Sequence, residues 1–207
     1  MEEILHLYRL PYDPKRPVIC FDEVPYRLVA DRLEPEPMRP GVPAKEDYTY
    51  QRLGVWNLLV AFHPALGQRR LELHKRRTAK DYTAFMQRLA DLLPDADKIV
   101  LIQDNLNTHS SASFYKCLPP DQAFALAHRF EFHFTPKHAS WLNMVEIELS
   151  VILRTCLNTR FPSFHHFATA LLDFIRHRNR SNASVHWQFS PSSARITLKR
   201  HYDSITL

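Results

Sequence analysis

Three acidic residues stand out by where they fall. Asp22 follows the apolar run Pro17-Val18-Ile19-Cys20-Phe21, and Asp104 follows Ile99-Val100-Leu101-Ile102-Gln103. Short apolar runs of this kind make buried strands, whose ends lie at the rim of a sheet where ligands gather. If the two strands are neighbours, the two carboxylates meet. Side by side they would repel and raise at least one pKa unless a cation compensates. Oxygen donors without thiols select magnesium or manganese over zinc. Taken singly, an Asp after a strand also serves to start a turn or cap a helix.

A third acid comes from the stretch Trp141 to Leu157, read as one long helix. At about 100° per residue, Leu142, Val145, Leu149, Ile152, Leu153 and Cys156 form the apolar face. Asn143, Glu146, Ser150 and Arg154 line up as a separate polar stripe, which on its own is only a wet face. Glu148 lies on the far side, among Met144, Val151 and Thr155. Glu146 is therefore the third candidate, with Asn143 beside it to steer the carboxylate or a bound water.

Several elements must position these residues. Beyond the run ending at Asp22, strands are expected at Tyr26–Ala30, Gly54–Phe62 and Arg69–His74, forming an antiparallel meander. Thr78 to Leu93 turns to helical period, with Thr78 as cap and a stripe of Tyr82, Phe85, Met86, Leu89 and Leu93. After the strand ending at Asp104, a helix through Ser113 to Ala127, a strand at Phe130–Phe134 and a helix at Phe164–Arg178 complete the series. The proline-rich segment Glu34–Pro43 reads as an extended surface connection. This order gives an α/β fold, a mixed β-sheet flanked by α-helices in an RNase H-like layout, as a single domain over 1–207. Residues 1–16 form a lead-in and 181–207 a basic, irregular tail.

Composition bounds the function. The chain has 207 residues, a hydrophobic fraction of 45%, a net charge of +5 and a pI near 9.2. No apolar run approaches the ~20 residues a membrane span needs, and the start lacks a signal peptide. A cytoplasmic protein is expected. Three cysteines without a CxxC pair (Cys20, Cys117, Cys156) indicate neither disulfides nor a zinc ribbon and read as core thiols. Basic clusters at Arg69-Arg70, Lys75-Arg76-Arg77, Arg176–Arg180 and Lys199–His201 suit a polyanionic partner, although such runs are often just solvated faces.

Three blocks together carry a resemblance. Cys20-Phe21-Asp22-Glu23, then Leu101 to His109 with its Asp-Asn-x-x-x-His, then Thr135 to Glu146 with its Ser-Trp-Leu-Asn-x-x-Glu, resemble the catalytic blocks of DDE transposases. The similarity is to the bacterial insertion-sequence branch of the mariner-like superfamily, and Met38-Arg39-Pro40-Gly41 and Trp187-Gln188-Phe189 also look like it. Glu146 lies 42 positions after Asp104, somewhat longer than usual there, with the surplus near Pro119 and Pro120.

The resemblance implies a bacterial, nucleoid-associated DNA transposase with Asp22, Asp104 and Glu146 as catalytic residues and ligands of two Mg²⁺ ions, Mn²⁺ substituting. Such ions, about 3.5–4 Å apart, clamp the attacking and leaving oxygens at phosphorus. Asp22 would bridge them. Water would free a 3′-hydroxyl end, which would then attack target DNA at a TA step. Asn105 and His109 are placed to orient a ligand or the scissile phosphate, unless His109 is simply a satisfied loop histidine. Lys137, His138, Arg76, Arg77, Arg178 and Arg180 are candidate phosphate contacts. Trp141 is either a base-stacking residue or core. Double-stranded DNA is the expected partner, with a homodimer joining two element ends. The family's N-terminal helix-turn-helix region is absent here, so a separate DNA-binding half is also expected. An RNase H-like nuclease without strand transfer, or an inactive DNA- or partner-binding remnant, would share this layout.

Overall fold

The computed structural model describes residues 1–34, 36–45 and 48–199. Strands β1 (Val18–Asp31), β2 (Tyr50–His63), β3 (Gln68–His74), β4 (Ile99–Gln103) and β5 (Phe130–Phe134) form one sheet in the order β3-β2-β1-β4-β5. The first three run antiparallel, and β4 and β5 lie parallel to β1. This is the mixed sheet expected, and it is covered on both faces, as parallel strands require.

Alternation along the strands divides the core. Cys20, Leu58, Val60, Phe62, Val100 and Ile102 point to one face, under α1 (Glu2–Leu7), α5 (Val145–Val151), α6 (Phe164–Arg180) and α7 (Pro191–Thr197). Ile19, Phe21, Leu59, Ala61, Ile99 and Leu101 point to the other, under α2 (Ala79–Asp91), α3 (Ser111–Cys117) and α4 (Pro120–Arg129). Thr78 caps α2 in a reciprocal capping box with Asp81, and the expected stripe of Tyr82, Phe85, Met86 and Leu89 is buried. Among the described residues, no helix is long and apolar enough to cross a membrane.

Several boundaries differ from expectation. The two strands predicted around Asp22 are one, β1, which continues past Asp22 by pairing with β2. Beyond Cys20, β1 has no pairing with β4, and that open edge accommodates Pro25, which lacks an N–H. The predicted helix 113–127 is broken into α3 and α4 by Pro119-Pro120, with Pro120 at the first position of α4. The long helix expected over 141–157 is instead a 3-10 turn (Ser140–Leu142), α5, and a π segment (Ile152–Cys156). The lead-in is not passive, because α1 buries Ile4, Leu5 and Leu7. The tail is partly regular: Ser190 and Ser193 form a capping box on α7, and Arg195 forks onto Glu2. Only Cys20 of the cysteines is buried; Cys156 is half-buried and Cys117 exposed. The proline-rich connection closes on itself through isolated bridges Arg39–Val42 and Glu36–Lys45 around Gly41.

A buried ion cluster locks α5 to the sheet. Glu148 accepts two bonds of 2.7 Å from Arg69 of β3 and two of 2.9 and 3.0 Å from Arg178 of α6. The Arg69 and Glu148 side chains are wholly buried. Burial opposes the charge of Glu148, but the two guanidiniums outweigh it and hold its pKa below the usual value. Arg69 also bonds the carbonyls of Gly67 and Ala183. Gly67 turns β2 into β3 with φ of 60°, and a Cβ there would sit 2.6 Å from the Asn182 backbone.

Candidate active site

The parallel register sets Cys20 against Ile102. Carried two residues further along each chain, the same offset sets Asp22 against Asp104. Asp22 thus lies inside β1 rather than at its end, but at the point where β4 turns away. Alternation aims it at the face covered by α5, which carries Glu146. Asp104 and Glu146 both lie within electrostatic reach of Asp22 there.

The titration of Asp22 records this. The pKa of Asp22 is raised to about 7: burial contributes most, a backbone bond from Glu23 opposes it, and the charges of Asp104 and Glu146 push it further up. Asp22 Oδ1 accepts the Glu23 N–H at 2.7 Å, and Asp104 Oδ1 pairs with His109 Nδ1. Among the described residues no hydrogen bond reaches the other oxygen of either. Equally, no three His, Cys, Asp or Glu side chains among those residues stand close enough to grip a metal ion. The three carboxylates share a field without sharing a ligation point.

The supporting residues are placed unevenly. His109 is wholly buried, so it is no loose loop histidine; its other nitrogen lies 3.7 Å from Glu23 Oε2. Burial opposes its charge, yet Asp104 and Glu23 together raise its pKa to about 9. Asn143 is buried and its Nδ2 donates to the Phe21 carbonyl at 2.8 Å, pinning β1 one residue before Asp22. Among the described residues its Oδ1 has no hydrogen-bond partner. Asn105 is exposed in the loop after β4.

Lys137, His138, Arg76, Arg77 and Arg180 are exposed, and His138 takes a left-handed backbone (φ 63°) just before the 3-10 turn. Arg178 does not join them: its guanidinium is committed to Glu148. Trp141 is neither core nor free, since it is 41% exposed while stacking on Trp187 and meeting the edge of Phe189. Two positioning residues had no sequence signal. Tyr8, which caps the C-terminus of α1, donates to the Leu142 carbonyl at 2.7 Å and accepts the Met144 N–H at 3.3 Å, bracing the entry to α5. Glu148 was noted only as the acid facing away from Glu146.

A family profile described as DDE superfamily endonuclease matches residues 17–168, a span holding all three carboxylates. The chain belongs to the DDE endonuclease superfamily. Among solved structures, the fold of this DDE endonuclease is similar to the Mos1 mariner paired-end complex with Mn (TM-score 0.53, 16% identity, 91% of this chain and 61% of that one). It is also similar to the Mos1 strand transfer complex (0.53, 16%, 91% and 60%). A simian T-cell lymphotropic virus intasome bound to the PP2A regulatory subunit B56 gamma matches comparably (0.52, 18%, 88% and 59%). The chain spans about three fifths of the length of these proteins. No curated protein sequence matches it. At these identities the structural likeness establishes the RNase H-like fold.

By donor type, though not by their present spacing, the candidate residues suit a divalent cation. The set consists of carboxylates at an open rim, one of them ionised at a cost that a cation would offset, with the orphaned Asn143 oxygen on the segment leading into α5.

Proposed function

We propose that this chain is the catalytic part of a DNA transposase of the cut-and-paste type, carried by a bacterial insertion sequence. In this reading Asp22, Asp104 and Glu146 hold magnesium or manganese. The observation that carries it is the DDE endonuclease match over residues 17–168, a span that holds all three carboxylates. Bound there, the cations would supply Lewis acidity to the scissile phosphate and acidify an attacking water.

The chain's own residues do the rest. Asp104 keeps one oxygen on His109, which leaves the other for the site. Asn143 holds the β1 backbone that carries Asp22, and the Arg69–Glu148–Arg178 cluster fixes α5, so that Glu146 stays directed at the same rim. Lys137, His138, Arg76, Arg77 and Arg180 are exposed and would hold DNA phosphates, positioning without reading sequence. The names of the similar structures, a paired-end complex with Mn and a strand transfer complex, favour paired ends and manganese, and a homodimer joining two element ends is part of the same proposal. A separate helix-turn-helix partner and a TA target complete the proposal.

The test is a plasmid assay with Mg²⁺ and a labelled 3′-hydroxyl oligonucleotide. Joining of the label to plasmid supports a transposase. Nicking with free ends only would instead make this a nuclease. Asp104→Ala should lose both; cleavage by that variant at the wild-type rate would overturn the assignment.

A further inference from the structure

We infer that Glu23 is a positioning residue for Asp104, acting through the buried ring of His109. This rests on the metal-binding reading above. Alternation sends Glu23 to the sheet face opposite Asp22, so it cannot join the three carboxylates. Its side chain is nonetheless only 6% exposed. A carboxylate that buried needs partners. It has two: Arg77 Nη1 lies 3.4 Å from one oxygen, and His109 Nε2 lies 3.7 Å from the other.

His109 is a suitable intermediary because packing holds its ring on two sides and Asp104 bonds one of its nitrogens. It meets Phe21 edge-on at 5.2 Å and stacks on Tyr82 at 5.1 Å. Its carbonyl accepts Gln103 Nε2 at 2.7 Å, and Gln103 is itself held by the Tyr82 hydroxyl at 2.9 Å. Packing therefore sets the ring plane. Within that plane the hydrogen bond to Asp104 fixes the rotation, and Glu23 draws the opposite nitrogen across 3.7 Å, an ion-pair contact rather than a hydrogen bond. Asp104 is 34% exposed and follows the end of β4, so the strand alone does not fix its rotamer. A His held by its packing and drawn from behind by the Glu23 charge does. Partners that orient a ligand in this way usually govern metal affinity by about 10–100-fold.

The experiment is titration of Mn²⁺ into the wild type, Glu23→Ala, Glu23→Gln, His109→Asn and Glu23→Ala/His109→Asn, with thermal melts confirming that each is folded. Glu23→Ala should weaken Mn²⁺ binding about tenfold or more. Glu23→Gln, which keeps an acceptor oxygen, should restore most of it. Within the His109→Asn background, Glu23→Ala should cost nothing further. In plasmid nicking, the loss should fall on the half-saturating Mn²⁺ concentration and not on the rate at saturating metal. If Glu23→Ala does not fold, Glu23→Asp, shorter by one methylene, should weaken binding several-fold. Unchanged binding by Glu23→Ala or Glu23→Asp overturns the inference, as does an equal loss in the His109→Asn background. A wild type that binds no Mn²⁺ removes the metal reading itself, a distinct result.

Discussion

Asp22→Asn should make the metal-free protein more stable at pH 8 while destroying its chemistry. The folded pKa of Asp22 is about 7 against an ordinary 3.8, roughly three units. At about 1.4 kcal/mol per unit, ionising Asp22 in the folded protein costs at most about 4 kcal/mol. Solvent at the open rim reduces that to about 2–3 kcal/mol. The sign follows from proton counts. Below pH 4 both folded and unfolded chains hold the proton and no penalty exists. From pH 4 to 7 the unfolded chain gives it up first, so stability falls as pH rises. Above pH 7 the penalty is complete. Asparagine has no charge to desolvate and should raise Tm by about 5–10 °C at pH 8, given roughly 2–4 °C per kcal/mol at this size. Thermal melts of both proteins in EDTA, from pH 4.5 to 8, measure the gap. Equal Tm values at pH 8, or a gap that does not shrink toward acid, would refute the electrostatic reasoning.

Two further outcomes follow from other parts of the molecule. Glu148→Ala leaves Arg69 buried without its carboxylate and should cost about 3–5 kcal/mol, read as a lowered urea midpoint; a loss under 1 kcal/mol would mean that the cluster does not lock α5. Replacing both Lys137 and Arg76 with alanine should weaken DNA binding at every sequence and flatten its dependence on log salt by up to about two. The slope from 50 to 200 mM salt checks this, and an unchanged slope would remove these residues from the interface.

Much of the layout was legible because hydrophobic period and turn chemistry agreed. The cap at Thr78, the stripe on α2 except for Leu93, which lies past its end, and the apolar runs of β1 and β4 formed where expected. The placement of the candidate carboxylates was legible as well: Asp22 and Asp104 lie on or just after buried strands, helical phase favoured Glu146 over Glu148, and Asp22 feels the charges of Asp104 and Glu146. What escaped was long-range. Glu148 looked like an acid on the wrong side of a helix, but two arginines from β3 and α6 make that side the core, and no local pattern announces such a pairing. The same pairing occupies the guanidinium of Arg178, which stays partly exposed. Segmentation of the catalytic helix also escaped, because its apolar stripe persists through the 3-10, α and π turns and period alone does not distinguish them. Glu23 was hidden by its neighbour: strand alternation assigns it to the opposite face, and only the fold shows that His109 waits there.

The central claim is that Asp22, Asp104 and Glu146 act together on a divalent cation. Isothermal titration of Mn²⁺ into the wild type and into Asp22→Asn, Asp104→Asn and Glu146→Gln tests it most directly. The account expects saturable binding by the wild type and loss of at least tenfold in affinity in each single variant. Wild-type affinity in any one of the three would exclude that carboxylate and contradict the shared site.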